Sequence, residues 1–267
     1  MTLKRLIDAD PEIAERLVSR RQAITRGASK SSTLAMGLAM GSIPVAFAAV
    51  ASDVFAQGGL PSIVVDVLNF ALTLEHLEAQ FYQTGVGTSG LLSRETMPVF
   101  DQIRKHEVAH VAFLQQVLGS RAIAKPTFDF TAGGGKGNGP FADVFSNEKT
   151  FAAVAQTFED TGVRAYKGQA ANLMGDGTVL EAALRIHSVE ARHAAEVRRL
   201  RGQKSWIALD TPGGLPAITQ SSYAGEGNRF HFILAQPVNS ISMTEAFDEP
   251  LTKGQVLSIV APFIAGA

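Results

Sequence analysis

Two glutamate–histidine pairs stand three residues apart in this chain, Glu107-Val108-Ala109-His110 and Glu190-Ala191-Arg192-His193. Residues three apart on a helix share a face, so each pair can offer a carboxylate and an imidazole to one cation. Two more glutamates, Glu75 and Glu159, follow Leu74 and Phe158 and precede Tyr82 and Tyr166 by seven positions each. The interval from Glu75 to Glu107 is 32 positions and that from Glu159 to Glu190 is 31. Agreement in residue type, spacing and interval implies a duplicated helical hairpin whose copies pack about a pseudo-twofold axis.

Seven residues span nearly two helical turns, which places Glu75 on the stripe of Leu68, Leu72, Ala79 and Tyr82. Glu107 and His110 lie among Ile103, Leu114 and Val117, Glu159 among Ala155, Gly162 and Tyr166, and Glu190 with His193 between Ile186 and Val197. Four helices thus point acids at an apolar interior, where an unpaired carboxylate is costly. Lysine and arginine are missing from these stripes near the acids, so metal cations are the natural partners. Four carboxylates balance two divalent ions, with the histidines neutral. The competing reading is a bundle whose buried acids are protonated or hydrogen-bonded to the tyrosines.

Glu78, one turn beyond Glu75, could serve in its place, but only Glu75 has the repeat partner Glu159. Tyr82 and Tyr166 read as core aromatics giving their hydroxyls to buried acceptors, with a redox relay as the other reading. His76 and His106 adjoin ligands but project about 100° away, which suits surface or packing positions. His187 could support the site from behind, and His231 has no partner in the pattern.

The elements that must position these groups are four helices. The first runs from Pro61 to about Tyr82, the second from about Arg94 to Leu118, where Gly119 stops it, the third from about Asn147 to Met174 and the fourth from about Thr178 to Arg201. Between the pairs lies a crossover containing Gly133-Gly134-Gly135-Lys136-Gly137-Asn138-Gly139-Pro140, expected to be flexible. Lys136 is followed by glycine rather than serine or threonine, so this is no phosphate loop. Beyond Gly202 the periodicity fades. Residues 230–234 suit a short strand, and Thr252 caps a final helix reaching Ile264. This tail either packs on the bundle or serves a subunit interface, a homo-oligomer being possible.

With those residues in view, positions 61–201 resemble the ferritin-like superfamily of di-metal four-helix proteins. The resemblance implies an all-α bundle of two hairpins joined by a long crossover, with metal ligands Glu75, Glu107, His110, Glu159, Glu190 and His193 and two iron or manganese ions as cofactors. The phrases Leu72-Thr73-Leu74-Glu75-His76-Leu77-Glu78 and Glu245-Ala246-Phe247-Asp248-Glu249-Pro250-Leu251-Thr252 resemble the desiccation-related ferritin-like proteins. Storage ferritins lack the second Glu-x-x-His, and rubrerythrins add a cysteine-bound iron that a chain without cysteine cannot make.

Composition narrows the remaining classes. The 267 residues are 46% hydrophobic, enough for one substantial core, and 24 basic against 25 acidic residues leave no cationic face for nucleic acid. Residues 1–56 read as a twin-arginine export signal: Arg20-Arg21 precedes an uncharged run from Ser31 to Ser52, with Ala46-Phe47-Ala48 and Phe55-Ala56 as cleavage patterns. The segment carries seven basic and five acidic residues, so a chain beginning at Gln57 keeps 17 basic against 20 acidic, a formal charge of −3. Residues 57–203 then form the bundle and 204–267 the extension. The expected protein is exported to the periplasm or beyond, meets the membrane only in transit or through an uncleaved N-terminus, and acts on ferrous ion, dioxygen or peroxide. The alternative is a structural, stress-protective protein with a weak or vestigial site.

Overall fold

A computed structural model of the chain describes residues 60–233 and 236–266. The expected export segment, its cleavage patterns and the retained-anchor alternative lie outside the described residues. Among the described residues no helix is long and apolar enough to cross a membrane.

The fold is an all-α bundle of two helical hairpins. Helix α1 (Ser62–Gly87) pairs with α2 (Met97–Leu118), and α3 (Glu148–Gln169) pairs with α4 (Gly177–Leu200), the hairpins meeting mainly across α1 and α3. Local chemistry sets three of the ends. Asn147 accepts from Lys149 N at 3.0 Å to start α3, Asp176 accepts from Val179 N at 3.0 Å to start α4, and Gly119 at φ 56° stops α2.

Four boundaries differ from expectation: the second helix starts at Met97 rather than about Arg94, the last helix gives way to a 3-10 turn after Val260 rather than reaching Ile264, and the first and third helices end elsewhere. Helix α1 continues five residues past Tyr82 because the Phe151 ring docks on its backbone at Gly85, where a methyl group would lie 2.1 Å from Phe151 Cε2. Glycine is a weak helix former, and this tertiary contact overrides the weakness. The third helix ends at Gln169 and tightens into a 3-10 turn, Ala170–Leu173, before Met174.

The crossover glycines are ordered around a carboxylate, contrary to the flexible segment expected. Asp129 accepts from Thr131 N and Oγ1 with one oxygen, and from Gly135 N and Gly137 N, each at 2.9 Å, with the other. Positive φ at Gly134, Gly135 and Gly137 curls the amides inward.

After α4 the chain forms a hairpin of β1 (Phe230–Ile233) and β2 (Gln236–Asn239), the short α5 (Met243–Ala246) and α6 (Lys253–Val260), then a 3-10 turn, Ala261–Phe263. The second strand went unforeseen because Pro237 disrupts a strand pattern. Thr252 caps α6 in a reciprocal box with Gln255. The extension packs on α3. The Arg164 guanidinium donates to the Glu249, Ser222 and Ala224 carbonyls and pairs with Glu226, while Leu251 N donates to Arg164 O at 3.1 Å. Arg198 binds Asp160 through two hydrogen bonds of 2.8 and 2.5 Å, and Tyr223 OH adds a third at 2.7 Å. Both arginines are buried, and both serve the extension.

Two apolar clusters fill the bundle. One gathers Phe81, Tyr82, Phe100, Ile103, Phe151 and Phe158; the other gathers Leu68, Leu72, Leu114, Tyr166, Val179 and Ile186. Along every helix the predicted acids fall between a member of one cluster and a member of the other, so a polar layer is sandwiched between them.

Candidate metal centre

All six side chains singled out from the sequence are buried and enter that layer. Donor atoms from Glu75, Glu107, His110 and Glu190 lie within 4.8 Å of one another, as do those from Glu107, Glu159, Glu190 and His193. The two quartets share Glu107 and Glu190. Each Glu-x-x-His pair thus contributes a common carboxylate and a private imidazole, while Glu75 and Glu159 each belong to one quartet.

His110 Nδ1 faces Glu75, Glu107 and Glu190 at 3.1, 3.2 and 3.2 Å, and His193 Nδ1 faces Glu107 and Glu159 at 2.8 and 3.3 Å. The tyrosines cross the pseudo-twofold axis. Tyr82 OH on α1 donates to Glu159 on α3 at 2.6 Å, and Tyr166 OH on α3 donates to Glu75 on α1 at 2.5 Å. Both are therefore core aromatics with a buried acceptor, as their positions suggested, and each takes up one oxygen of a quartet carboxylate.

Burial and mutual proximity shift the titration of these groups strongly. Burial, aided by Glu107, pushes Glu75 up to about 7 despite His110 beside it. Burial and the charges of Glu107 and Glu75 hold Glu190 well above the usual carboxylate range, and burial raises Glu159 despite His193. Burial opposes ionisation of Glu107 too, but His110 and His193 together carry it below the ordinary range. Burial would also lower both histidines, yet the carboxylates around them lift each well above the ordinary imidazole range. Protons occupy the place of positive charge.

Several donor atoms lack a well-formed hydrogen bond. Glu107 Oε1, Glu159 Oε2, both Glu190 oxygens and His193 Nδ1 are buried with no hydrogen bond of adequate geometry. Oxygen and imidazole donors paired only by charge, without a well-formed hydrogen bond, and aimed into one volume, fit divalent cations.

Two residues behave differently from their sequence reading. His106 does not point away: its Nδ1 lies 2.8 Å from His193 Nε2, and the rings stack at 5.1 Å. Rotation of about 100° from Glu107 turns His106 toward α4, not toward solvent. The other ring nitrogen of His106 lies 2.7 Å from the Gln102 amide nitrogen, so His106 is held on both sides and fixes the orientation of the His193 ring. Glu78, considered only as a substitute for Glu75, is buried beside it as a fifth glutamate. The available signal was Gly162, which occupies the matching position in the repeat and leaves space for it.

The other histidines lie elsewhere. His76 is buried, and burial together with Lys125 lowers its pKa. Burial also lowers His187, and the charges acting on it are those of Asp248 in the extension and Lys167 on α3. His231 does have partners: it stacks on Phe247, and its Nε2 lies 3.0 Å from Glu249.

A four-helix bundle with carboxylate and imidazole donors converging between its hairpins is an arrangement able to hold metal ions. Residues 63–203, more than half of the chain, match the family described as the ferritin-like domain, and the chain belongs to that family. No curated protein matches it.

Proposed function

We propose that this protein holds two iron or manganese ions between its hairpins and carries out redox chemistry on ferrous ion, dioxygen or hydrogen peroxide. The observation that carries the reading is the pair of four-donor groups sharing Glu107 and Glu190, with buried donor atoms that lack a well-formed hydrogen bond. Glu107 and Glu190 would be shared between the ions, with Glu75 and His110 completing one set and Glu159 and His193 the other. When bound, such ions supply one-electron chemistry and a Lewis-acidic surface for oxygen species.

The chain's own residues do the rest. Tyr82 and Tyr166 hold the outer carboxylates by one oxygen each and leave the second free. His106 orients the His193 ring. The apolar clusters on either side keep bulk water from the layer and strengthen every charge interaction inside it. The Arg20-Arg21 signal supports export by the twin-arginine route, and the two quoted phrases support membership of the desiccation-related branch.

Elemental analysis of protein purified from its own export route tests the reading, with about two iron or manganese ions per chain expected for this ligand arrangement. Absence of metal would overturn it in favour of a structural, stress-protective role. Peroxide-disproportionation and ferrous-oxidation assays on the loaded protein then separate the reactions.

A further inference from the structure

The two halves of the bundle match at every predicted ligand but differ one turn further along the first helix of each pair. Glu78 follows Glu75 by three residues, and Gly162 follows Glu159 by three. A methyl group at Gly162 would lie 3.4 Å from Glu78 Oε1 and 3.3 Å from Glu190 Oε2. Glu78 therefore reaches across the axis, and its carboxylate and that of Glu190 border the space a side chain at Gly162 would occupy. The Glu78 side chain is buried, and Gly162 stands one turn beyond Glu159 on the same helix. The Glu78 carboxylate therefore borders the side of the Glu159 and His193 quartet. His106, the imidazole behind His193, lies on that side too, whereas the residue preceding Glu190 is Val189.

We propose that Glu78 is a seventh metal donor, serving the ion held by Glu159 and His193, and that it makes the two ion positions unequal. The inference rests on the two-ion reading above. Five glutamates carry one more negative charge than two divalent ions neutralise, so the position nearest Glu78 binds its ion more tightly and favours the higher oxidation state. The missing side chain at Gly162 keeps the space open for the carboxylate.

The test is manganese(II) titration of the full-length protein by calorimetry and electron paramagnetic resonance, comparing wild type, Glu78→Gln and Gly162→Ala. Wild type is expected to fill in two steps. Glu78→Gln, which preserves shape and removes a buried acid, should still take up two ions with an unchanged or higher melting temperature, while affinity for the first ion falls about tenfold or more. Gly162→Ala, whose methyl would stand 3.3 Å from Glu190 Oε2 and 3.4 Å from Glu78 Oε1, should lower the same affinity. In the iron-loaded protein Glu78→Gln should also shift the Fe(III)/Fe(II) midpoint to a more positive potential. Isotherms and midpoints for both variants that superimpose on wild type would overturn the seventh-donor assignment while leaving the two-ion site standing. A wild-type chain that takes up no manganese would remove both.

Discussion

Stripping the metal should destabilise this protein by an amount that grows with pH. At free manganese about 100 times the dissociation constant, each occupied position adds about 2.7 kcal/mol to folding, so two positions add about 5.4 kcal/mol. For a folded unit of this size, that corresponds to a melting temperature higher by about 10–20 °C. The pH dependence follows from the protons that stand in for metal. Glu75, raised to about 7 from an ordinary 4.5, contributes stability to the metal-free protein below pH 4.5 and loses it as pH rises through 7. Glu190 and Glu78 are raised in the same direction, and His110 and His193 contribute below their ordinary 6.5 and lose it above. Glu107, lowered, acts oppositely, its contribution being present above 4.5 and lost in acid. The metal-free protein should therefore weaken between pH 5.5 and 8, whereas metal gains because these groups must shed protons to bind it. Differential scanning calorimetry with chelator or with manganese, at both pH values, reads the difference directly. A gap between the two melting temperatures that is absent, or smaller at pH 8 than at 5.5, would refute the reasoning.

Shared and private ligands should separate by stoichiometry: Glu107→Ala or Glu190→Ala is expected to abolish binding of both ions, and Glu75→Ala or Glu159→Ala of one, as counted by elemental analysis. Tyr82→Phe and Tyr166→Phe each remove a hydrogen bond to a buried carboxylate, costing about 1.5–3 kcal/mol in denaturant unfolding, with two ions still bound. Arg198→Met strands Asp160 in the interior and should cost about 3–5 kcal/mol, most of which the Asp160→Asn, Arg198→Met double variant recovers; equal losses in single and double variants would contradict this. Gly168→Ala would place a methyl 1.9 Å from Leu251 O, so it should loosen the extension from α3 and expose it to limited proteolysis while α1 and α2 stay protected.

The bundle and the convergence of its six donors were legible in the chain because helical period and burial are both local properties. An acid repeated on an apolar stripe must face the core, and four such stripes with matched intervals can meet in only one layer. What the linear pattern leaves open is what neighbours a side chain across helices. His106 projects from the far side of Glu107, yet α4 turns out to lie there, and nothing in the spacing announces it. Glu78 appears as a rival to Glu75 until Gly162 is seen beneath its carboxylate. The glycines of the crossover signal mobility only while Asp129, which collects their amides, is unknown. Arg164 and Arg198 look like surface charges until the extension folds over them. Period and residue type are carried by a single helix and can be read from it. The partners of a buried charge come from segments dozens of residues away, and only their packing determines which cost of burial is met and by whom.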